Sequence, residues 1–237
     1  MEVLSQVDHS FEEFVLQVEA LETALDGGAD SDHLRRFVHS SRGMETAPFL
    51  VARFAGTAAR YCLYYRCHAW LLALGGEAHS IRDAILSGTP ISSMQPRIVG
   101  LPVDFISVTV GAQLPIALGL ALAGHPTVAA LGDGALSTGV VFETLNAAAI
   151  HRPDLLFVLD DNGRAVTTAG PAVTSADPES LCASLGLGYF ALSAGDVDYF
   201  GDATDWLRAT TGIPRLLHVR STDTEPHCLA MPPARVG

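Results

Sequence analysis

Charge is scarce in this sequence: Asp, Glu, Lys and Arg together make up 17% of its 237 residues, and 14 basic side chains face 26 acidic ones. A net charge of −12, with no cluster of basic residues, leaves little to neutralise a run of phosphates, which sets aside nucleic-acid binding. Cysteine is sparse as well. Cys62, Cys67, Cys182 and Cys228 form no CxxC pair and have no histidine at zinc-finger spacing, so reduced, buried thiols are expected rather than a disulfide framework or a structural metal. Long apolar runs are missing: the longest, residues 114–123, contains Pro115 and is too short to cross a bilayer, so it reads as a buried helix. The first residues carry Glu2, Asp8, Glu12 and Glu13 instead of a basic segment leading into an apolar one, and a cytoplasmic location is expected.

What is present is apolar matter, 49% of the chain, enough for a core of ordinary to generous size and against overall disorder. Phe11, Phe14, Val15, Val18, Leu21 and Leu25 share one helical face, with Ser10 and Glu13 spaced as a capping box and Gly27-Gly28 as a stop; the spacing predicts an amphipathic first helix. Residues 33–60 alternate apolar and small side chains at mostly helical spacing and predict one or two more helices. A short strand over 61–65 follows, then a helix from after Arg66 to Gly75-Gly76, then a short helix capped by Ser80 and Asp83 that ends near Gly88. Pro90, Pro96 and Pro102, with several serines, make 89–107 read as an irregular loop, and loops of this length often carry function.

Periodicity is clearer in the centre. Residues 127–131 form an apolar run ending in Gly132-Asp133-Gly134, residues 139–150 fit a helix, and 155–159 form a second apolar run: strand, helix, strand, a parallel crossover. A third run, 216–219 after Pro214, follows a helical segment near 203–210. The alternation predicts an α/β fold, a parallel sheet with helices on both faces. No repeat or domain boundary is evident, so 1–237 reads as a single domain with a helical part over 1–60, an α/β core over 61–220 and a C-terminal loop over 221–237.

In such a crossover both strands point the same way, so Asp133 and Asn162 are expected together at the carboxyl edge, where these sheets bind ligands. Mg²⁺ prefers a near-octahedral shell of hard oxygens with one or two carboxylates and the rest from phosphate and water. One aspartate, one amide and a diphosphate would supply it. Gly132 and Gly134 permit a tight turn and close approach of the backbone to a phosphate, and amides opening the next helix can donate to it. A lone GDG is more often a plain turn after a strand. The separation of 29 residues from Asp133 to Asn162, filled by a helix and an apolar strand, favours the ligand reading.

Gly132-Asp133-Gly134 with Asp160-Asp161-Asn162 resembles the diphosphate-binding motif of thiamine diphosphate enzymes. The fuller string GDGALSTGVVFETLNAAAIHRPDLLFVLDDNGRAVTT looks most like the alpha subunit of the 2-oxo acid dehydrogenase first component, of the pyruvate dehydrogenase type, with Phe142, Glu143, Asn146 and Ala147 fitting that family's helix. The resemblance implies thiamine diphosphate and Mg²⁺ as cofactors, the side chains of Asp133 and Asn162 and the carbonyl of Arg164 as metal ligands, and Gly132, Gly134, Ala135 and Asn162 against the diphosphate. Tyr65-Arg66-Cys67-His68 resembles the family's YRxH motif, which implies diphosphate binding by Tyr65 and Arg66, a task suited to the planar arginine fork, and a catalytic role for His68. The segment from Val110 to Pro115 resembles VGAQVP, whose backbone meets the aminopyrimidine ring near Val108 and Val110. Residues 214–232 resemble the family's strand and phosphate-side loop; His227 is then either its catalytic histidine or a surface histidine of a proline-rich tail.

The resemblance covers roughly residues 60–232, and it departs from the family in several places. Asp161 stands for the first asparagine of the pair and Asp160 for a glutamate, Thr46 for the histidine after an Arg-Gly pair, the loop before Val110 is short, and the arginine of the last loop has no clear equivalent. The family's activating glutamate lies on a beta-type, pyrimidine-binding subunit and has no match here. The chain is therefore expected to form half of an active site in a heterotetramer, transferring a two-carbon acyl or ketol unit from a 2-oxo acid or ketose to a lipoyl arm, a carrier-protein thiol or an aldehyde. Two other readings stand beside it: half of a split transketolase, favoured by Asp-Asp-Asn-Gly, and a non-catalytic scaffold of the same fold.

Overall fold

Two apolar runs side by side, each buried on both faces, organise the chain. In the computed structural model, which describes residues 2–31, 35–36, 38–88, 100–221 and 228, they become β3 (Thr127–Gly132) and β4 (Leu155–Asp161), paired in parallel from Thr127 opposite Leu155 to Gly132 opposite Asp160. Around them stand β1 (Arg60–Tyr64), β2 (Val103–Ser107), β7 (Gly188–Ser193) and β8 (Arg215–Arg220), giving a six-stranded sheet in the order β2-β1-β3-β4-β8-β7, parallel at every pair. A two-stranded antiparallel hairpin, β5 (Arg164–Ala165) and β6 (Thr168–Ala169), lies apart from it.

Residue alternation along the strands sorts the core into two layers. Val128, Ala130, Leu156 and Val158 pack on one face with helices α1 (Glu2–Gly28), α2 (Thr46–Ala55), α3 (His68–Ala73), α4 (Ala78–Leu86) and α8 (Phe200–Ala209). Ala129, Leu131, Phe157 and Leu159 pack on the other with α5 (Gln113–Leu122), α6 (Gly139–His151) and α7 (Pro178–Leu185). Covering both faces is what a parallel sheet requires, and it is why β3 and β4 read as continuous apolar runs. The parallel α/β fold with helices on both faces is thus as expected.

Several boundaries differ from the sequence expectation. Helix α1 begins at Glu2, so Ser10 lies inside it; no proline or glycine interrupts residues 2–9, and a capping pattern does not end a helix that nothing breaks. Helix α4 starts at Ala78, after Glu77, with Ser80 and Asp83 inside it for the same reason. The segment 89–107 is not all loop: Val103–Ser107 is edge strand β2, and Pro102 precedes its first residue, where no ladder donor is needed while its carbonyl accepts from the Tyr61 amide at 2.9 Å. Residues 89–99 lie outside the described part. Helix α5 is buried on one side only, through Leu114, Ala117 and Ala121, and leaves Ile116 39% and Leu122 51% exposed. Strand β7 had no expectation; it is an edge strand, half-buried along most of its length.

The four cysteines are buried and unbridged. Among the described residues no helix is long and apolar enough to cross a membrane. Phe157, fully buried at the middle of β4, anchors the second layer; Phe157→Ala is expected to cost about 3–5 kcal/mol in urea unfolding, and a loss below about 1 kcal/mol would show that this layer is not closely packed.

Candidate cofactor site

Chain connections diverge between β1 and β3. After β1 the chain runs to the outer strand β2, and after β3 it runs the other way to β4. Ligand crevices of parallel sheets form at such a switch point, beyond the carboxyl ends of the strands. A cavity of about 260 Å³ opens there. Tyr64, Tyr65 and Arg66 reach it from β1, and Gly132, Asp133, Gly134 and Ala135 from β3. Thr109, Val110 and Gly111 come from the turn after β2, while Asp160, Asn162 and Arg164 come from the end of β4.

Backbone shape decides two of these positions. A Cβ on Gly134 would stand 2.9 Å from the Cβ of Ala165 and 3.3 Å from its Cα, so glycine is what lets the β5–β6 hairpin close against the GDG turn. Gly111 has φ +79° and would press a Cβ to 2.8 Å from Val140, on the first turn of α6. Val166, in the β5–β6 turn, lines the cavity with φ 60°. A β-branched residue in the left-handed region is strained, and such strain gathers at functional sites.

Three aspartates determine the electrostatics. Asp133 is 9% exposed, and its carboxyl is pushed up to about 7, first by burial and then by the Asp161 carboxylate, against the amides of Gly134 and Arg164. Asp160 is also pushed up to about 7 by burial, although the Tyr64 hydroxyl donates to it at 3.1 Å and the Arg66 charge opposes the shift. Asp161 goes the other way. His218 holds its carboxyl below the usual range, with Nε2 at 2.8 Å from Oδ2, and the Gly163 amide donates to Oδ1 at 2.9 Å. The other ring nitrogen of His218 meets the Tyr189 hydroxyl at 2.8 Å, which orients the imidazole.

These residues fit a divalent cation held with a diphosphate. Asp133 is a buried carboxyl beside a second carboxylate, a pair that a cation would discharge. The Asn162 side-chain oxygen accepts from the Arg164 amide at 3.2 Å and, with two lone pairs, can still face a metal. Among the described residues no group of three His, Cys, Asp or Glu is placed to hold a metal unaided. A cation here would need phosphate oxygens beside one carboxylate, one amide and one carbonyl. Arg66 brings a buried guanidinium to the same cavity.

The structure does not gather every expected residue. His68 is fully buried at the start of α3, with Nδ1 at 2.9 Å from Glu22 of α1, and does not line the cavity. Val108 stands 57% exposed beside the cavity without lining it, whereas Val110 does line it. His227 lies outside the described residues. Thr46 opens α2 and accepts the Gly195 amide at 2.8 Å, a structural tie away from the cavity. Met44, Tyr64, Thr109, Gly111, Gln113 and Val166 also line it without having been foreseen. Tyr64 stands one position before an expected residue, and Gln113 inside the VGAQLP string, so both carried a faint signal; Val166 carried none.

Comparison with known proteins adds an independent finding. The sequence profile of the dehydrogenase E1 component family matches residues 17–193. The chain is 31% identical over 137 residues to the alpha subunit of the pyruvate dehydrogenase E1 component of Zymomonas mobilis, covering 52% of this chain and 38% of that protein. It is also 31% identical over 158 residues to the mitochondrial alpha subunit of Chaetomium thermophilum, covering 61% and 38%. A 1-deoxy-D-xylulose-5-phosphate synthase of Cellvibrio japonicus is 35% identical over 103 residues, 42% of this chain and 16% of that one. Among solved structures, transketolase from Leishmania mexicana superposes on 89% of this chain and 36% of its own, with a TM-score of 0.63 at 16% identity, a likeness of fold. The chain thus spans well under half of the length of each.

The raised carboxyl of Asp133 sets a stability test. Because it keeps its proton to about pH 7 in the folded chain and to about 3.8 when unfolded, its contribution is fully present below pH 3.8 and lost as pH rises through 7. In metal-free buffer Asp133→Asn should therefore gain on the order of 1–3 kcal/mol over the unaltered chain at pH 8 and little at pH 4. Thermal unfolding at the two pH values checks this, and an Asn variant no more stable at pH 8 would contradict the assignment of strain to Asp133.

Proposed function

Given that the chain belongs to the dehydrogenase E1 component family, we propose that it is the alpha-type, diphosphate-binding subunit of a thiamine diphosphate-dependent enzyme that transfers a two-carbon acyl or ketol unit from a 2-oxo acid or ketose. The observation that carries this reading is the meeting of Asp133, Asn162 and Arg66, from three strand ends, around one cavity. When bound, thiamine diphosphate supplies the carbon nucleophile and the electron sink for breaking a bond next to a carbonyl. The protein supplies position. Asp133, Asn162 and the Arg164 carbonyl would hold Mg²⁺, and Tyr65 and Arg66 would take the diphosphate, Arg66 by charge-assisted hydrogen bonds. Asp161, fixed by His218, would add negative charge beside the metal.

Among the described residues, the carboxylates that line the cavity are Asp133 and Asp160, both at the strand ends. Following the family resemblance, we assign the activating glutamate to a second, beta-type polypeptide in a heterotetramer. The apolar residues left exposed near the cavity mouth and on α5 and α6, Val110, Ile116 and Phe142, support a partner there. The acceptor would be a lipoyl arm, a carrier-protein thiol or an aldehyde. By the family resemblance His227 would be a catalytic histidine. Ketol transfer by a split transketolase-like pair is the second reading; the carboxylate of Asp161 in Asp-Asp-Asn-Gly and the similarity to a 1-deoxy-D-xylulose-5-phosphate synthase favour it.

Calorimetric titration with thiamine diphosphate and Mg²⁺, on the chain together with its companion polypeptide, tests the cofactor assignment. Asp133→Ala should abolish metal-dependent binding, and Arg66→Ala should weaken it by about 1.5–3 kcal/mol. Unchanged affinity in Asp133→Ala would remove the metal assignment, and a loss confined to turnover in Arg66→Ala would make Arg66 a substrate residue. The chain alone is expected to show no turnover with either a 2-oxo acid or a ketose; full turnover without a second polypeptide would defeat the half-site proposal.

A further inference from the structure

Arg66 is held from behind by residues that do not themselves line the cavity. Its Nε donates to the Ser40 carbonyl at 2.6 Å. Ser40 belongs to an irregular segment, and the next amide, of Ser41, donates to Oε1 of Glu22 at 2.8 Å. The same Glu22 oxygen lies 2.9 Å from Nδ1 of His68, the residue that opens α3 two positions after Arg66. One carboxylate oxygen on α1 therefore ties together the segment that receives Arg66 and the helix start that follows it. The segment is fastened to α1 again at the surface, where Arg42 pairs with Glu19 at 2.7 Å and with Asp26 at 3.0 Å.

Energetics argue for a purpose. Glu22, Ser41 and His68 are all fully buried. A carboxylate in a core costs several kcal/mol unless hydrogen bonds answer it, and apolar side chains of similar volume pack there at no such cost. Burial raises the Glu22 carboxyl, and His68 with the Ser41 amide more than offset it, leaving it below the ordinary value. Oε2 of Glu22 and Nε2 of His68 nevertheless have no hydrogen-bond partner among the described residues, so the pair remains a costly contact placed at the joint behind Arg66.

We propose that Glu22 and His68 are positioning residues for Arg66, so that the N-terminal helix belongs to the diphosphate site without lining it. The inference rests on the cofactor reading above. It also gives His68 a part in the YRxH segment other than contact with substrate.

A mutant cycle read by calorimetry, with thiamine diphosphate and Mg²⁺ on the chain and its companion, separates the two claims. Glu22→Gln and His68→Leu should each weaken cofactor affinity about tenfold, whereas His68→Asn, whose amide nitrogen stands where Nδ1 does, should stay near the unaltered chain. In an Arg66→Ala background Glu22→Gln and His68→Leu should add almost nothing, because the group they position is gone. Equal losses with and without Arg66, or no loss in either single variant, would overturn the positioning role. Should the core variants fail to fold, Arg42→Ala loosens the same segment from the surface; a two- to fivefold loss, roughly, that vanishes without Arg66 would support the proposal, and a loss independent of Arg66, or none, would sink it. If Arg66→Ala weakens binding and Glu22→Gln does not, the positioning role alone falls. If the unaltered chain takes no thiamine diphosphate, the cofactor reading falls and this inference with it.

Discussion

Burying a carboxylate costs several kcal/mol unless something answers the charge, and β3 ends by burying one. Asp133 sits at the switch point of the sheet, with Asp161 beside it and the Gly134 and Arg164 amides as its protein donors. Two amides do not restore an ordinary acidity, since the carboxyl is pushed up to about 7. The remaining geometry follows from this: a glycine that lets the hairpin approach, an asparagine with a lone pair to spare, and an arginine across the cavity. A cation bound with an anionic ligand would resolve the imbalance; the family to which the chain belongs implies thiamine diphosphate, and Mg²⁺ is the ion proposed with it.

The same constraint appears a second time, behind the site. Glu22 is buried more completely than Asp133, yet its carboxyl is held low because its partners are within the protein. Oε1 of Glu22 is answered by His68 and the Ser41 amide, although its Oε2 has no hydrogen-bond partner among the described residues. The difference lies in the neighbour, a histidine beside Glu22 and a second carboxylate beside Asp133, and Glu22 links the N-terminal helix to the sheet edge through Arg66.

The central crossover was legible because its physics is local. Strands covered on both faces must be continuously apolar, so β3 and β4 announced themselves, and parallel pairing then required Asp133 and Asn162 to share an edge. Residues set by distant contacts were hidden. Strand β2 follows a proline because its first donor is not needed, which a reading of prolines as loop formers misses. Thr46, which stands where the resemblance would place a histidine, is occupied by a backbone amide 149 positions later in the chain. The inward turn of His68 toward α1 depends on Glu22, 46 residues away in sequence, and the strained Val166 has no compositional mark at all. Ser10 shows the opposite error, in which a local pattern was present and the helix simply ran past it.

The relatives that share this sequence pattern are much longer than this chain. The diphosphate end is different, because every residue assigned to it is on this chain. A crystal structure grown with thiamine diphosphate and Mn²⁺ in place of Mg²⁺ addresses it directly through anomalous scattering from the metal. A metal peak bound by Asp133, Asn162 and the Arg164 carbonyl, with the diphosphate between it and Arg66, is the expected result. A metal coordinated elsewhere, or a cofactor bound with no metal at Asp133, would contradict it.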